Sequence, residues 1–297
     1  MAYSHVLLGA GEGPAQLTVR RIHVSDIKAA LRAGLDDFTA MPTHAMFVAA
    51  IYPIVGLLVA RLAFGYSILP LLYPLVAGFA LVGPLAALGL YELSRRREAG
   101  LETSASHALD VVDSTSIGAI VALGFLLLGL FVLWIACANA IYVANFGYAT
   151  PQSIGSFLHD VFTTQAGWTL IVVGNAVGFA FAAVVLIISA VSFPLLLDRD
   201  VGAAVALLTS IRVVLKNPLT MACWGLIVAA LLFIGALPAF LGLAVVVPVL
   251  GHATWHLYRR AVESEVSPHP QQHEHPRERR YAADFPAVLF PWARSKP

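Results

Sequence analysis

The interval SRRREAGLETSASHALDVVDSTS, Ser94–Ser116, stands between two long apolar runs, and its reading decides the fold. Upstream, Ile68–Leu93 is almost free of charge; downstream, Ile117–Val143 carries none. Each run is long enough to cross a hydrocarbon core of about 30 Å at about 1.5 Å per helical residue. Three consecutive arginines, Arg95, Arg96 and Arg97, sit between the runs, where the positive-inside rule makes them cytoplasmic topology anchors.

The same reading extends to the whole chain. Residues AVILMFWYC make up 59% of it and DEKR only 12%, against about 25% charged in a soluble domain. A water-soluble fold of this size would lack polar surface. The formal charge of +1 gives no basic field for nucleic acid. These properties predict an all-α polytopic membrane protein with six transmembrane helices: His44–Ala63, Ile68–Leu93, Ile117–Val143, Trp168–Leu197, Leu219–Ala236 and Ala239–Tyr258. Residues 25–258 form the membrane domain. Residues 1–24 are expected to be a mobile N-terminus, and 259–297 a largely disordered cytoplasmic tail rich in Pro, His, Glu and Arg. No apolar leader precedes the first span, so that span is expected to direct insertion. Pro70, Pro74 and Pro84 predict kinks in the second span, and residues Ala144–Gly167 read as the longest loop between spans.

Orientation follows from the basic residues. Seventeen of the eighteen Lys and Arg fall on the side holding the N-terminus, the Ser94 interval, the Asp198 interval and the C-terminus; only Arg61 falls on the other. Both termini are therefore expected in the cytoplasm.

An amphipathic pattern precedes the first span. Ile27, Leu31, Gly34, Leu35 and Phe38 form one stripe, with Lys28, Arg32, Asp36 and Asp37 on the remaining surface, which predicts an interfacial helix near 25–40. The same offsets recur at Leu101, Ala105, Ala108, Leu109 and Val112, and again at Ala203, Leu207, Ser210, Ile211 and Val214. Further interfacial helices are expected near 98–112 and 200–216, giving three parallel repeats of interfacial helix plus transmembrane hairpin.

Few residues carry recognisable chemistry. His252 and His256 are four apart on one helix face, and two readings stand open: ligands for haem or a metal, or part of an interfacial belt with Trp255, Tyr258 and Arg259. Asn139 and Asn175 are polar residues within spans, suited to hydrogen bonds between helices or to lining a polar path. Cys137 and Cys223 lie in apolar runs and read as small buried hydrophobes. No GxSxG, Walker A, HExxH or dinucleotide fingerprint occurs, so no catalytic residue is assigned and no cofactor is predicted.

Three stretches carry a family resemblance: RRIHVSDIKAALRAGLDDF at 20–38, GPLAALGLYELSRRREAG at 83–100 and VSFPLLLDRDVGAAVALLTS at 191–210. Across about Val19–Glu263 the chain resembles the bacterial integral membrane proteins of the domain of unknown function 2189 family. The resemblance implies a bacterial inner-membrane location and no defined activity. The expected role is a non-enzymatic scaffold or accessory subunit of a membrane complex, in contact with the lipid bilayer. A small-solute carrier or pore is the alternative, and a haem- or metal-binding redox protein the third reading.

Overall fold

The computed structural model describes residues 17–41, 56, 66–148, 150–238 and 240–263. The expected first span, apart from Gly56, lies outside them. The chain parts into two units, Met1–Glu263 and Ser264–Pro297, and the second lies wholly outside the described residues.

The described residues are helical, with no β-strand among them beyond one isolated bridge. In chain order the α-helices are α1 (Val24–Ala40), α2 (Leu72–Ala86), α3 (Leu88–Glu98), α4 (Ile117–Phe146), α5 (Ile154–Thr163), α6 (Gln165–Ser189), α7 (Ser192–Asp198), α8 (Ala203–Lys216), α9 (Pro218–Ala236) and α10 (Leu243–Ala261). Two 3-10 segments, Tyr66–Leu71 and Ala105–Asp113, complete the set. Four stretches are long and apolar enough to cross a membrane: Leu69–Glu98, Ile117–Phe146, Gln165–Asp198 and Pro218–Ala236. Helix α10, expected as a sixth span, falls short of that measure because two histidines, a threonine and Arg259–Arg260 interrupt its apolar residues. Large apolar side chains on these spans face outward, among them Phe125, Val132, Phe179 and Phe233. That exposure suits lipid as solvent.

Proline sets the breaks. Pro84 has no N–H to give Ala80, and the helix interrupts three residues later at Ala87, between α2 and α3. Pro194 likewise cannot donate to Ala190, and a turn at Ala190–Val191 separates α6 from α7. Ser210 of α8 repairs this second break. Its hydroxyl donates to the Ile187 carbonyl at 2.7 Å and accepts the Val191 N–H at 3.2 Å, inserting between two groups that would otherwise pair along the helix. The small residue at this register position is thus used for a hydrogen bond as well as for packing.

The three expected interfacial elements differ from one another. Helix α1 and helix α8 form at the expected places, but the middle copy, near 98–112, is a 3-10 segment preceded by four residues without helix. Polar side chains capture that segment: Arg96 donates to the Glu102 carbonyl at 2.8 Å and to Asp110 at 3.1 Å, and His107 bonds Asp110 at 2.7 Å. The stretch read as an outer loop contains α5, begun by Ser153, whose hydroxyl accepts the Ser156 N–H at 3.0 Å.

Residues 17–23, grouped by the sequence with a mobile N-terminus, form a pinned arm. Val19 bridges Val262, the Arg20 N–H donates to the Ala261 carbonyl at 2.8 Å, and the Glu263 N–H donates to the Thr18 carbonyl at 2.9 Å. Asn217, buried at the α8–α9 joint, is the bolt. Its Oδ1 accepts the Ile22 N–H at 2.8 Å, while Nδ2 donates to the Arg20 and Val213 carbonyls, each at 3.0 Å. Asn217→Ala is expected to cost about 2 kcal/mol, because it strands the buried Ile22 N–H and releases the Arg20 carbonyl, while Val213 keeps the backbone bond from residue 217. The thermal midpoint of the purified protein checks this; an unchanged midpoint would show that the arm is held by other contacts.

Candidate functional site

The polar groups of the fold converge where α1, α3 and α10 meet. Helix α1 packs mainly on α10, and its buried positions are Ile27, Ala30, Gly34 and Asp37. Those positions recur every three or four residues, so Asp37 falls on the buried stripe, whereas Leu35, assigned to that stripe from the sequence, is exposed. Asp37 was expected on the polar face. The interior can hold it because the facing helices bring donors to both of its oxygens.

Asp37 is 4% exposed. Its Oδ2 accepts from the Ser94 hydroxyl at 2.6 Å and from His256 Nε2 at 2.9 Å, and Oδ1 accepts from Arg97 Nη1. Burial alone would raise the carboxyl pKa. The hydrogen bonds from His256 and Ser94 outweigh that and hold Asp37 below its ordinary 3.8.

His252 joins through Ser94. Its Nδ1 lies 2.6 Å from Ser94 Oγ and 3.8 Å from Asp37 Oδ2. Ser94 has one proton and gives it to Asp37, so Nδ1–H donates to the serine and Nε2 is left as a lone pair. That Nε2 is fully buried and meets no partner of hydrogen-bond geometry. The three residue types of a hydrolase triad are present in the wrong order. The serine gives its proton to the carboxylate and not to His252, and Ser94 is 1% exposed, so no substrate carbonyl reaches its oxygen.

A second polar layer closes the ends of α3, α7 and α10. Asp198 accepts from Tyr258 OH at 2.5 Å and Arg259 Nη1 at 3.1 Å; Glu98 accepts from Arg259 Nε at 3.0 Å and Trp255 Nε1 at 2.9 Å. Glu92, the one charged residue of the run Ile68–Leu93, is buried and gripped by Arg95 through two bonds of 2.8 and 2.7 Å. The three arginines of the opening interval thus have three tasks. Arg95 neutralises Glu92, Arg96 fastens the 3-10 segment, and Arg97 reaches Asp37.

His252 and His256 therefore point inward to one carboxylate. Among the described residues no group of three or more His, Cys, Asp or Glu side chains is arranged to hold a metal ion, and His256 Nε2 is spent on Asp37. Asn139 and Asn175 do not meet. Asn175 Oδ1 accepts from Tyr73 OH at 2.7 Å and its Nδ2 donates to the Ile171 carbonyl, tying α6 to α2. Asn139 instead lines a cleft of about 130 Å³ with Tyr142 and Tyr148 at the far end of α4. Sequence reasoning missed Asp37, Ser94 and Asn217 as organising residues. The signal for Asp37 was its spacing of three from Gly34 and ten from Ile27; nothing in the local sequence marks the other two.

A family model described as a predicted integral membrane protein, domain of unknown function 2189, matches residues 71–198. That stretch takes in α2 to α7 and supplies Ser94, Arg97, Glu98 and Asp198, while Asp37 and the two histidines lie outside it. No curated protein and no solved structure matches the chain. With its apolar helices, the chain is an integral membrane protein similar to this family.

Proposed function

We propose that this protein is a non-enzymatic scaffold or accessory subunit of a membrane complex. The observation that carries the reading is the allocation of polar groups. They are spent internally, in the clasp of Asp37, Ser94, Arg97 and His256 and the layer around Asp198 and Glu98, where they fasten helices to one another. The outward faces of α4, α6 and α9 are apolar, available to lipid or to partner helices. The topology that accompanies this reading has six spans in three parallel units, with α10 as the last span and both termini in the cytoplasm of a bacterial inner membrane. It draws support from the one-sided basic residues and from the matching breaks after Pro84 and before Pro194.

Purification from native membranes with mass spectrometry tests the role. Stoichiometric recovery of a partner complex, with no solute flux in liposomes, is the expected result. Flux of a small solute in the absence of any partner would replace this reading with the carrier, for which the cleft lined by Asn139 is the best-placed opening. An absorbance spectrum of the same preparation addresses the haem or metal reading.

A further inference from the structure

A shallow cleft of about 200 Å³ opens between the N-terminal arm and the α8–α9 joint, lined by Arg21, Lys216, Leu219 and Thr220 among others. Its shape is fixed by bonds that use up the polar groups behind it. Lys216 Nζ donates to the Val19 carbonyl at 2.7 Å, Thr220 Oγ1 donates to the Ile22 carbonyl at 3.0 Å, and Asn217 holds the arm. Arg21 and Lys216 both line the opening and are exposed. Among the described residues neither cation has an ion-pair partner, and the nearby acids are engaged elsewhere: Glu263 with Arg20 at 3.0 Å and Asp26 with Arg260 at 3.3 Å.

Position decides which anion fits. The cleft lies at the first residues of Pro218–Ala236, a stretch apolar and long enough to span a membrane, hence at the level where headgroups begin. Leu215 and Leu219 stand beside it, 71% and 86% exposed, as side chains do when acyl chains cover them. A free anion has no use for those leucines; a lipid phosphate with its chains below does. We propose that Arg21 and Lys216 form a binding site for the phosphate of an anionic lipid headgroup. The proposal rests on Pro218–Ala236 being a span and not on the scaffold role, so the two fail separately.

The test uses the full chain purified in detergent, with bound lipid counted by native mass spectrometry against phosphatidylglycerol and phosphatidylcholine. Juxtamembrane basic residues contribute on the order of fivefold each to anionic-lipid affinity. Arg21→Gln, which removes no bond within the described fold, is expected to weaken phosphatidylglycerol binding about fivefold, and the pair Arg21→Gln, Lys216→Gln about 30-fold. Arg212→Gln, an exposed cation of α8 outside the cleft, should weaken binding less than Arg21→Gln does. Equal retention of the two lipids by the wild type, equal phosphatidylglycerol binding by wild type and Arg21→Gln, or an equal loss in Arg212→Gln would overturn the site. Displacement of the lipid by millimolar inorganic phosphate would assign it to a soluble anion and overturn the lipid.

Discussion

Asp37→Ala is expected to destabilise the purified protein by about 3 kcal/mol, read as a fall in thermal midpoint. Removing one member of a buried charge cluster strands the others, and here the stranded groups are Ser94, His256 and Arg97. The lower end of the usual range applies because Arg97 is 40% exposed and can turn to water, whereas Ser94 cannot. Asp36, the exposed neighbour, is the control, and its replacement by Ala should stay within about 0.5 kcal/mol. Acid reports on the same group. Because the folded carboxyl ionises below its ordinary 3.8, the unfolded chain binds the proton more readily. The stabilisation from Asp37 is then complete at pH well above 3.8 and is lost as pH falls through that value towards the folded pKa. The difference in midpoint between wild type and Asp37→Ala should shrink as pH falls below about 4. A difference that held constant to pH 3, or widened, would contradict the clasp.

What the sequence made legible follows from what the bilayer demands. A span needs an unbroken apolar run of fixed length, so α4, the α6–α7 stretch Gln165–Asp198 and α9 were readable within a few residues from composition alone. The break after Pro84 was readable because proline lacks an N–H wherever it stands. Polar partners across space were not. Asn217 reads as a turn residue between two helices, and only the arm running back from Val19 to Ile22 gives its amide two of its three bonds, the third being to Val213 of α8. The repeated offsets suggested three equal amphipathic helices, yet the middle one became a 3-10 segment because Arg96, Glu102 and Asp110 tie it to the end of α3. Side-chain periodicity records which face meets oil; it does not record which arginine will capture the backbone. The sequence also left His252 and His256 with two readings, and the structure turns both rings to a carboxylate 215 and 219 positions earlier in the chain.

That carboxylate reaches its partners only because α1 lies unusually close to α10, and Gly34 sets the distance. A Cβ at position 34 would stand 2.6 Å from the Ala253 nitrogen, 2.8 Å from the Val249 oxygen and 2.9 Å from the Ala253 Cα, all backbone atoms of the facing helix. Backbone cannot swing aside as a side chain can, so the whole helix must move. On an open helix surface Gly→Ala stabilises by up to about 1 kcal/mol through helix propensity. At this seam, overpacking of about 1 to 3 kcal/mol should exceed that gain, so Gly34→Ala is expected to destabilise and Gly34→Val to do so more strongly. The displacement also draws Asp37, one turn further along α1, away from Ser94 and His256. Gly34→Val should therefore remove part of what Asp37→Ala removes, and the double variant should lose less than the two single losses combined, by at least about 0.5 kcal/mol. Thermal midpoints of the three variants measure this directly. A stabilised Gly34→Ala would mean that the helices stand further apart than described, and strictly additive losses would mean that the close seam and the clasp stand independently of each other.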